Sequence, residues 1–181
     1  MSSAVRFEEL DRAHFTYVWR TLCRLGWPRE EVADAAQEVF LVAFRKLAQF
    51  EQRSSLRTWL FGICYRSTLA RWRRADRHQV APPAVVEALP DRAPDPASVI
   101  ETGQRRAVLE TILEQLSVEQ RAVFTLYEIE GLEGADIAEV LQIPIGTVYS
   151  RLRSAREVFW KAVARRQARE RFDQPVLLGS R

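Results

Sequence analysis

Apolar positions recur at intervals of three and four along nearly the whole chain, and strand-like alternation is almost absent. The pattern predicts a first helix from about Phe7 to Leu25, stopped by Gly26, with Pro28 opening the next. The second, from Pro28 to about Phe50, is strongly amphipathic. Val32, Ala36, Val39, Phe40, Ala43 and Leu47 share one side, and Asp34, Glu38, Leu41 and Arg45 share the other. Ser54 or Ser55 is placed to cap a third helix reaching about Arg74, with Leu56, Trp59, Leu60, Ile63 and Ser67 turned inward. Phe61, Tyr65, Thr68 and Trp72 follow helical spacing along a second stripe, the alternative being that Phe61 and Trp72 complete the core.

The character changes between Val80 and Ser98. Pro82, Pro83, Pro90, Pro94 and Pro96 interrupt a weakly periodic, acidic-leaning stretch, which reads as an extended linker. Helical periodicity resumes from about Val99 to Leu116. Ser117 with Gln120 has the spacing of a capping box, opening a helix through about Glu130 that Gly131 ends.

The run LEGADIAEVLQIPIGTVYSRLRSAR follows, from Leu132 to Arg156. Ile137, Ala138 and Leu141 share a face of one short helix; Val148, Leu152, Ala155 and Phe159 recur on the next. Gln142-Ile143-Pro144 breaks the pattern between them. This is a helix-turn-helix, a device that lays its second helix in the major groove of DNA. Gly146, Ser150 and Arg153 face outward, flanked by Thr147, Tyr149, Arg151 and Arg156. Arg153 is the candidate for a base edge, while Thr147, Arg151 and Arg156 suit phosphates. Tyr149 offers an apolar ring that could meet a thymine methyl. Gln142 must accept whatever backbone conformation the turn demands, at a cost of roughly 1–2 kcal/mol if that is left-handed.

Composition sharpens this picture. The chain has 181 residues, 47% of them hydrophobic, enough for one domain or two small ones. Net charge is only +3, but the positive charge is mostly arginine and unevenly placed. Arg66, Arg71, Arg73, Arg74 and Arg77 form one cluster, and the stretch from Arg151 to Arg171 forms another, implying two contacts with a polyanion. Cys23 and Cys64 match no metal spacing and read as buried free thiols in a reducing compartment. His14 and His78 have no ligand partners nearby in sequence. No metal, cofactor or catalytic constellation is indicated. No signal peptide or membrane-spanning run is read, so a cytoplasmic protein is expected.

Two blocks then become recognisable in order: DAAQEVFLVAFRKL with LRTWLFGICYRSTLARWRR, and after the linker QRAVFTLYEIEGLEGADIAEVLQIPIGTVYSRLRSAR. Together they resemble the extracytoplasmic-function class of bacterial RNA polymerase sigma factors, from about residue 7 to 163. The resemblance implies an all-α protein of two small helical domains joined by a flexible linker. Region two would span 1–79, the linker 80–98, and region four 99–166 with a winged-helix-like helix-turn-helix. A flexible basic tail would occupy 167–181.

It also implies roles. Asp34, Gln37, Glu38, Leu41 and Arg45 would dock on the clamp of the largest subunit of core RNA polymerase, and the second lobe on the flap of the second-largest. Phe61, Tyr65 and Trp72, with Arg57, Arg66, Arg73 and Arg74, would stack and hold unpaired promoter bases. Thr147, Tyr149, Ser150, Arg151, Arg153 and Arg156 would bind the upstream promoter element. An anti-sigma factor, often membrane-bound, is the implied inhibitor; the chain itself would not insert in a membrane. The sequence departs from the family at Arg66 and Ala70, where asparagine and aspartate are usual, and at Gln142 and Tyr149. The rival reading is a self-sufficient helix-turn-helix regulator, which has no use for a helix of aromatics and arginines. An enzyme is disfavoured, because no glycine-rich phosphate loop or catalytic spacing occurs.

Overall fold

The structure is a computed structural model and describes residues 3–78 and 107–173. The linker expected at 80–98 and the chain beyond Asp173 lie outside the described residues. Within them, α1 spans Ser3–Leu25, α2 Arg29–Lys46 and α3 Leu56–His78, with a short 3-10 turn at Leu47–Gln49. Helix α4 covers 107–113, α5 Val118–Phe124, α6 Gly134–Leu141 and α7 Ile145–Asp173. No strand occurs among the described residues. Nor is any helix there long and apolar enough to cross a membrane.

The ends of these helices follow from capping chemistry. Leu25 gives way to Gly26 at φ +96°, a left-handed position that suits glycine. There the amide N–H of Gly26 donates to the Cys23 carbonyl and that of Trp27 to Leu22, closing a Schellman motif. Ser55 Oγ accepts from the Thr58 amide at 3.1 Å and starts α3. Ser117 and Gln120 complete the expected capping box at α5. The next turn is π-helical, Thr125–Ile129, and presents Tyr127 and Glu128 to Arg156 and Glu130 to Arg24.

Helices α1, α2 and α3 form the first lobe around Val18, Leu22, Val39, Phe40, Leu60 and Cys64. Trp27 ties the lobe together. Its indole N–H donates to Thr68 Oγ1 at 2.7 Å, and Thr68 donates in turn to the Cys64 carbonyl. Arg71 lies over the Trp27 ring, 5.0 Å from its centroid, and grips Glu31 with two bonds of 2.9 Å. This arginine of the basic cluster is therefore occupied in holding α3 to α2.

In the second lobe α4, α5, α6 and α7 enclose Leu113, Phe124, Ile137, Leu141, Val148 and Leu152. The two lobes meet, with α3 against α6 and α1 against α5. Their buried side chains form one continuous apolar cluster running from Val18 in α1 to Leu152 in α7. Helix α7 continues without a break past residue 166 to Asp173, so the first part of the expected basic tail is helical, with exposed side chains through Arg169.

Candidate nucleic-acid interface

Three surfaces carry the residues singled out by sequence. The first is the outer face of α2. Asp34, Gln37, Glu38, Leu41 and Arg45 are all exposed. They fall within roughly a 100° arc at about 3.6 residues per turn. Leu41 is 48% exposed in the middle of this charged ring. An apolar centre with a polar rim is the anatomy of a protein-docking patch.

The second surface is α3, and here the structure corrects the sequence reading. Phe61 is fully buried and Tyr65 is 3% exposed; Thr68 is also enclosed. Neither aromatic can stack on a base in this arrangement. Trp72 is half-buried with its indole nitrogen enclosed. The cause is that LFGICY is apolar all round, and α3 is packed against α1, α2, α5 and α6. Of the expected stripe, Arg57, Arg66, Arg73 and Arg74 are exposed. Arg57 lies over the Tyr17 ring, 5.3 Å from its centroid.

On the side of α3 opposite Phe61, a cleft of about 380 Å³ opens beside Arg66. Its first-lobe walls are Gln49, Phe50, Glu51, Arg53 and Ser54 from the α2–α3 loop, with Trp59, Gly62 and Arg66 from α3. Phe50 and Trp59 pack with ring centroids 5.1 Å apart and planes tilted by 41°. Arg53 pairs with Glu51. Arg66 folds its guanidinium over Gly62, where partial desolvation lowers its pKa. An aromatic pair beside two arginines, in a cleft of small-ligand size, has the chemistry to receive an unstacked base and its phosphate. Sequence reading missed Phe50, Arg53 and the α2–α3 loop. They carry no periodic signal, and the loop is shaped by Gln52 at φ +57°. It placed Trp59 in the core, whereas Trp59 is half-buried and lines this cleft.

The third surface is the start of α7. Helix α6 ends in Gln142, which adopts φ 55°, ψ 49°. The amide N–H of Ile143 donates to the Ala138 carbonyl at 3.0 Å and closes the turn. Pro144 accepts from the amides of Thr147 and Val148 and launches α7. Gly146, Tyr149, Ser150 and Arg153 are exposed, and Thr147 is half-buried. Arg153 stands 85% open, with Glu157 one turn on at 3.5 Å. Ser150 donates back to the Thr147 carbonyl.

The other members of this group are committed within the protein. Tyr149 lays its hydroxyl against the first turn of α6, where a Cβ on Gly134 would sit 2.6 Å from it. Arg156 pairs with Glu128 at 2.6 Å and covers the Tyr127 ring at 5.2 Å. Arg151 points inward rather than along the phosphate flank. One of its guanidinium nitrogens is enclosed without a hydrogen-bond partner, and its charge lies near the Tyr65 hydroxyl of the first lobe. Burial raises the Tyr65 pKa despite that cation. Among the described residues, no group of His, Cys, Asp and Glu is arranged to hold a metal ion.

Comparison with known proteins fits both lobes. The family model for sigma-70 region 2 matches residues 10–78, and that for sigma-70 region 4 matches residues 106–158. The chain is 34% identical over 142 residues to the RNA polymerase sigma-H factor of Pseudomonas aeruginosa, covering 74% of each protein. It is 31% identical over 150 residues to the ECF RNA polymerase sigma factor SigM of Mycobacterium tuberculosis, covering 83% of this chain and 73% of that one. Among solved structures, the fold is similar to the sigma factor RpoE in complex with the anti-sigma factor NepR from Bartonella quintana. That match has a TM-score of 0.61 at 22% identity, and covers 87% of this chain and 98% of that one.

Proposed function

This chain belongs to the ECF class of RNA polymerase sigma factors, and from that premise we propose how its surfaces divide the work of starting transcription. The α2 face of Asp34, Gln37, Glu38, Leu41 and Arg45 docks on the clamp of the largest subunit of core RNA polymerase. The second lobe docks on the flap of the second-largest. Leu41 supplies the desolvated centre, and the charges around it supply orientation.

The open face at the start of α7 binds the upstream promoter element in the major groove. Arg153 reads a base edge, with Ser150 and Thr147 beside it and the exposed Gly146 allowing close approach. Tyr149 braces the two helices of the motif, leaving Arg153 to project. The Phe50–Trp59 cleft, with Arg53 and Arg66, takes a base from the melted downstream element; Arg73 and Arg74 grip the adjoining backbone. Stacking such a base stabilises the opened strand by about 1–3 kcal/mol, so melting needs no covalent chemistry from the chain. The protein works in the cytoplasm, and an anti-sigma factor holds it there until a signal arrives.

The observation that carries this reading is the single exposed leucine in a charged ring on α2, paired with a separate basic reading face on α7. Run-off transcription with core polymerase tests it. Leu41→Glu should abolish core binding and all transcripts. Arg153→Ala should retain core binding and lose only transcripts that depend on the upstream element. Loss of core binding in Arg153→Ala would overturn the division of faces.

A further inference from the structure

We propose that the open cleft beside Arg66 is a guanine site, in which α3 donates to one edge of the base and α6 accepts from another. The inference rests on the cleft reading above and names the base that it takes. At about 380 Å³ the cleft lies at the small end of ligand sites, which run from about 300 to 1,000 Å³. That suits one base with its sugar.

The platform is aromatic. Phe50 and Trp59 are both half-buried, with ring centroids 5.1 Å apart, and offer a flat base a surface to stack on. Stacking is blind to identity, because every base has a π-face. Selection therefore falls to the polar groups of the two walls.

Those walls are opposite in character. Arg66 lines the α3 wall and can only donate. It lies against Gly62, its two terminal nitrogens 3.3 and 3.4 Å from where a Cβ would sit. The same missing Cβ makes room for the Val140 carbonyl of α6, 3.4 Å from that point. Arg53 is paired with Glu51, so the fork offered by the α3 wall is that of Arg66. Asp136 and Glu139 line the α6 wall. They are exposed, stand three residues apart on one side of that helix, and as carboxylates only accept.

Guanine is the base whose edges match both walls. Its major-groove edge carries two acceptors, a carbonyl oxygen and a ring nitrogen, which a guanidinium reads with two parallel bonds. Its pairing edge adds a ring N–H and an amino group, two donors that one carboxylate accepts together. Adenine mixes a donor and an acceptor on the major-groove edge, and uracil and thymine would set carbonyl oxygens against the carboxylates. The guanine can come from a free nucleoside or from an unpaired strand, since the recognition chemistry is the same.

Isothermal titration calorimetry on the full-length chain tests this, with guanosine, inosine, adenosine and uridine as probes. Guanosine should bind about tenfold tighter than adenosine or uridine, a margin that one bidentate pair supplies. Inosine, which lacks the 2-amino group, should lose that margin. In the double variant Asp136→Ala with Glu139→Ala, guanosine and inosine should bind alike. Arg66→Gln should weaken both equally, because both keep the two acceptors. Equal binding of guanosine and uridine by the wild type, or a guanosine margin over inosine that survives the double variant, would overturn the proposal. Oligothymidine with and without a central guanine separates the sources. Tighter binding of the guanine-bearing strand than of guanosine assigns the strand, and guanosine binding with no gain in the strand assigns the free nucleoside. If the four nucleosides bind alike, and both oligonucleotides bind alike and are lost in Trp59→Ala, the cleft still takes a base and its guanine preference falls. No binding of any probe would overturn the preference and the cleft together.

Discussion

Gln142→Gly is expected to stabilise this protein, and the magnitude can be worked from the turn it occupies. Gln142 sits at φ 55°, ψ 49°, where the Cβ of an L-residue crowds the following carbonyl. That conformation costs about 1–2 kcal/mol, which glycine does not incur. Glycine also loosens the unfolded chain, taking back about 0.4–1 kcal/mol. The net gain is about 0.5–1 kcal/mol, because the 143–138 and 142–138 backbone bonds that close the turn are kept. For a chain of this size that is about 1–4 °C in Tm. Urea unfolding followed by circular dichroism measures it, with Gln142→Ala as the control that keeps the Cβ. Alanine should be close to neutral and valine destabilising. If glycine and alanine behave alike, the turn carries no left-handed strain and the reasoning fails.

Arg121→Met should cost about 2–4 kcal/mol in urea unfolding, since the carbonyls of Leu116 and Glu114 lose their buried donor; a cost under about 0.5 kcal/mol would show those carbonyls are satisfied otherwise. Gly134→Ala should weaken upstream-element binding through the Tyr149 hydroxyl, and the defect should shrink in the Tyr149→Ala background; additive effects in that double-mutant cycle would refute the contact. Stability should also fall in alkali. Burial raises the Cys23 thiol from 9.0 to about 11, so the folded state holds its proton longer than the unfolded one. That stability is complete below pH 9 and drains away as pH rises towards 11, by at most about 1.4 kcal/mol for each pH step of one between those values. Cys23→Ser should flatten that part of the profile relative to wild type, and an unchanged slope would contradict it.

Much of this molecule was legible in its sequence because local chemistry decides it. Gly26, Ser55, the Ser117–Gln120 box and Pro144 set helix ends by capping, and each acts within a few residues. The amphipathic split of α2 was equally plain, since its two faces differ in every turn. The side-chain assignments that failed depend on tertiary placement. Phe61 and Tyr65 lie among arginines, the pattern of a base-stacking surface, yet apolar residues on both sides of one helix signal burial on both. Arg71 and Arg156 look in sequence like cations for DNA, while the fold supplies them with Glu31 and Glu128 as partners and turns one nitrogen of Arg151 inward. Phe50 and Trp59 are nine residues apart across a turn, and only the folded loop makes them one surface.

The proposed function has the chain open promoters together with core polymerase by capturing an unpaired base. Permanganate reactivity of thymines tests that most directly, using core polymerase and the full chain on genomic promoter fragments. Reactive thymines should appear in a short downstream stretch only when both proteins are present, and should fade in Trp59→Ala. Protection of duplex DNA by the chain alone, with no reactive thymines when polymerase is added, would contradict it.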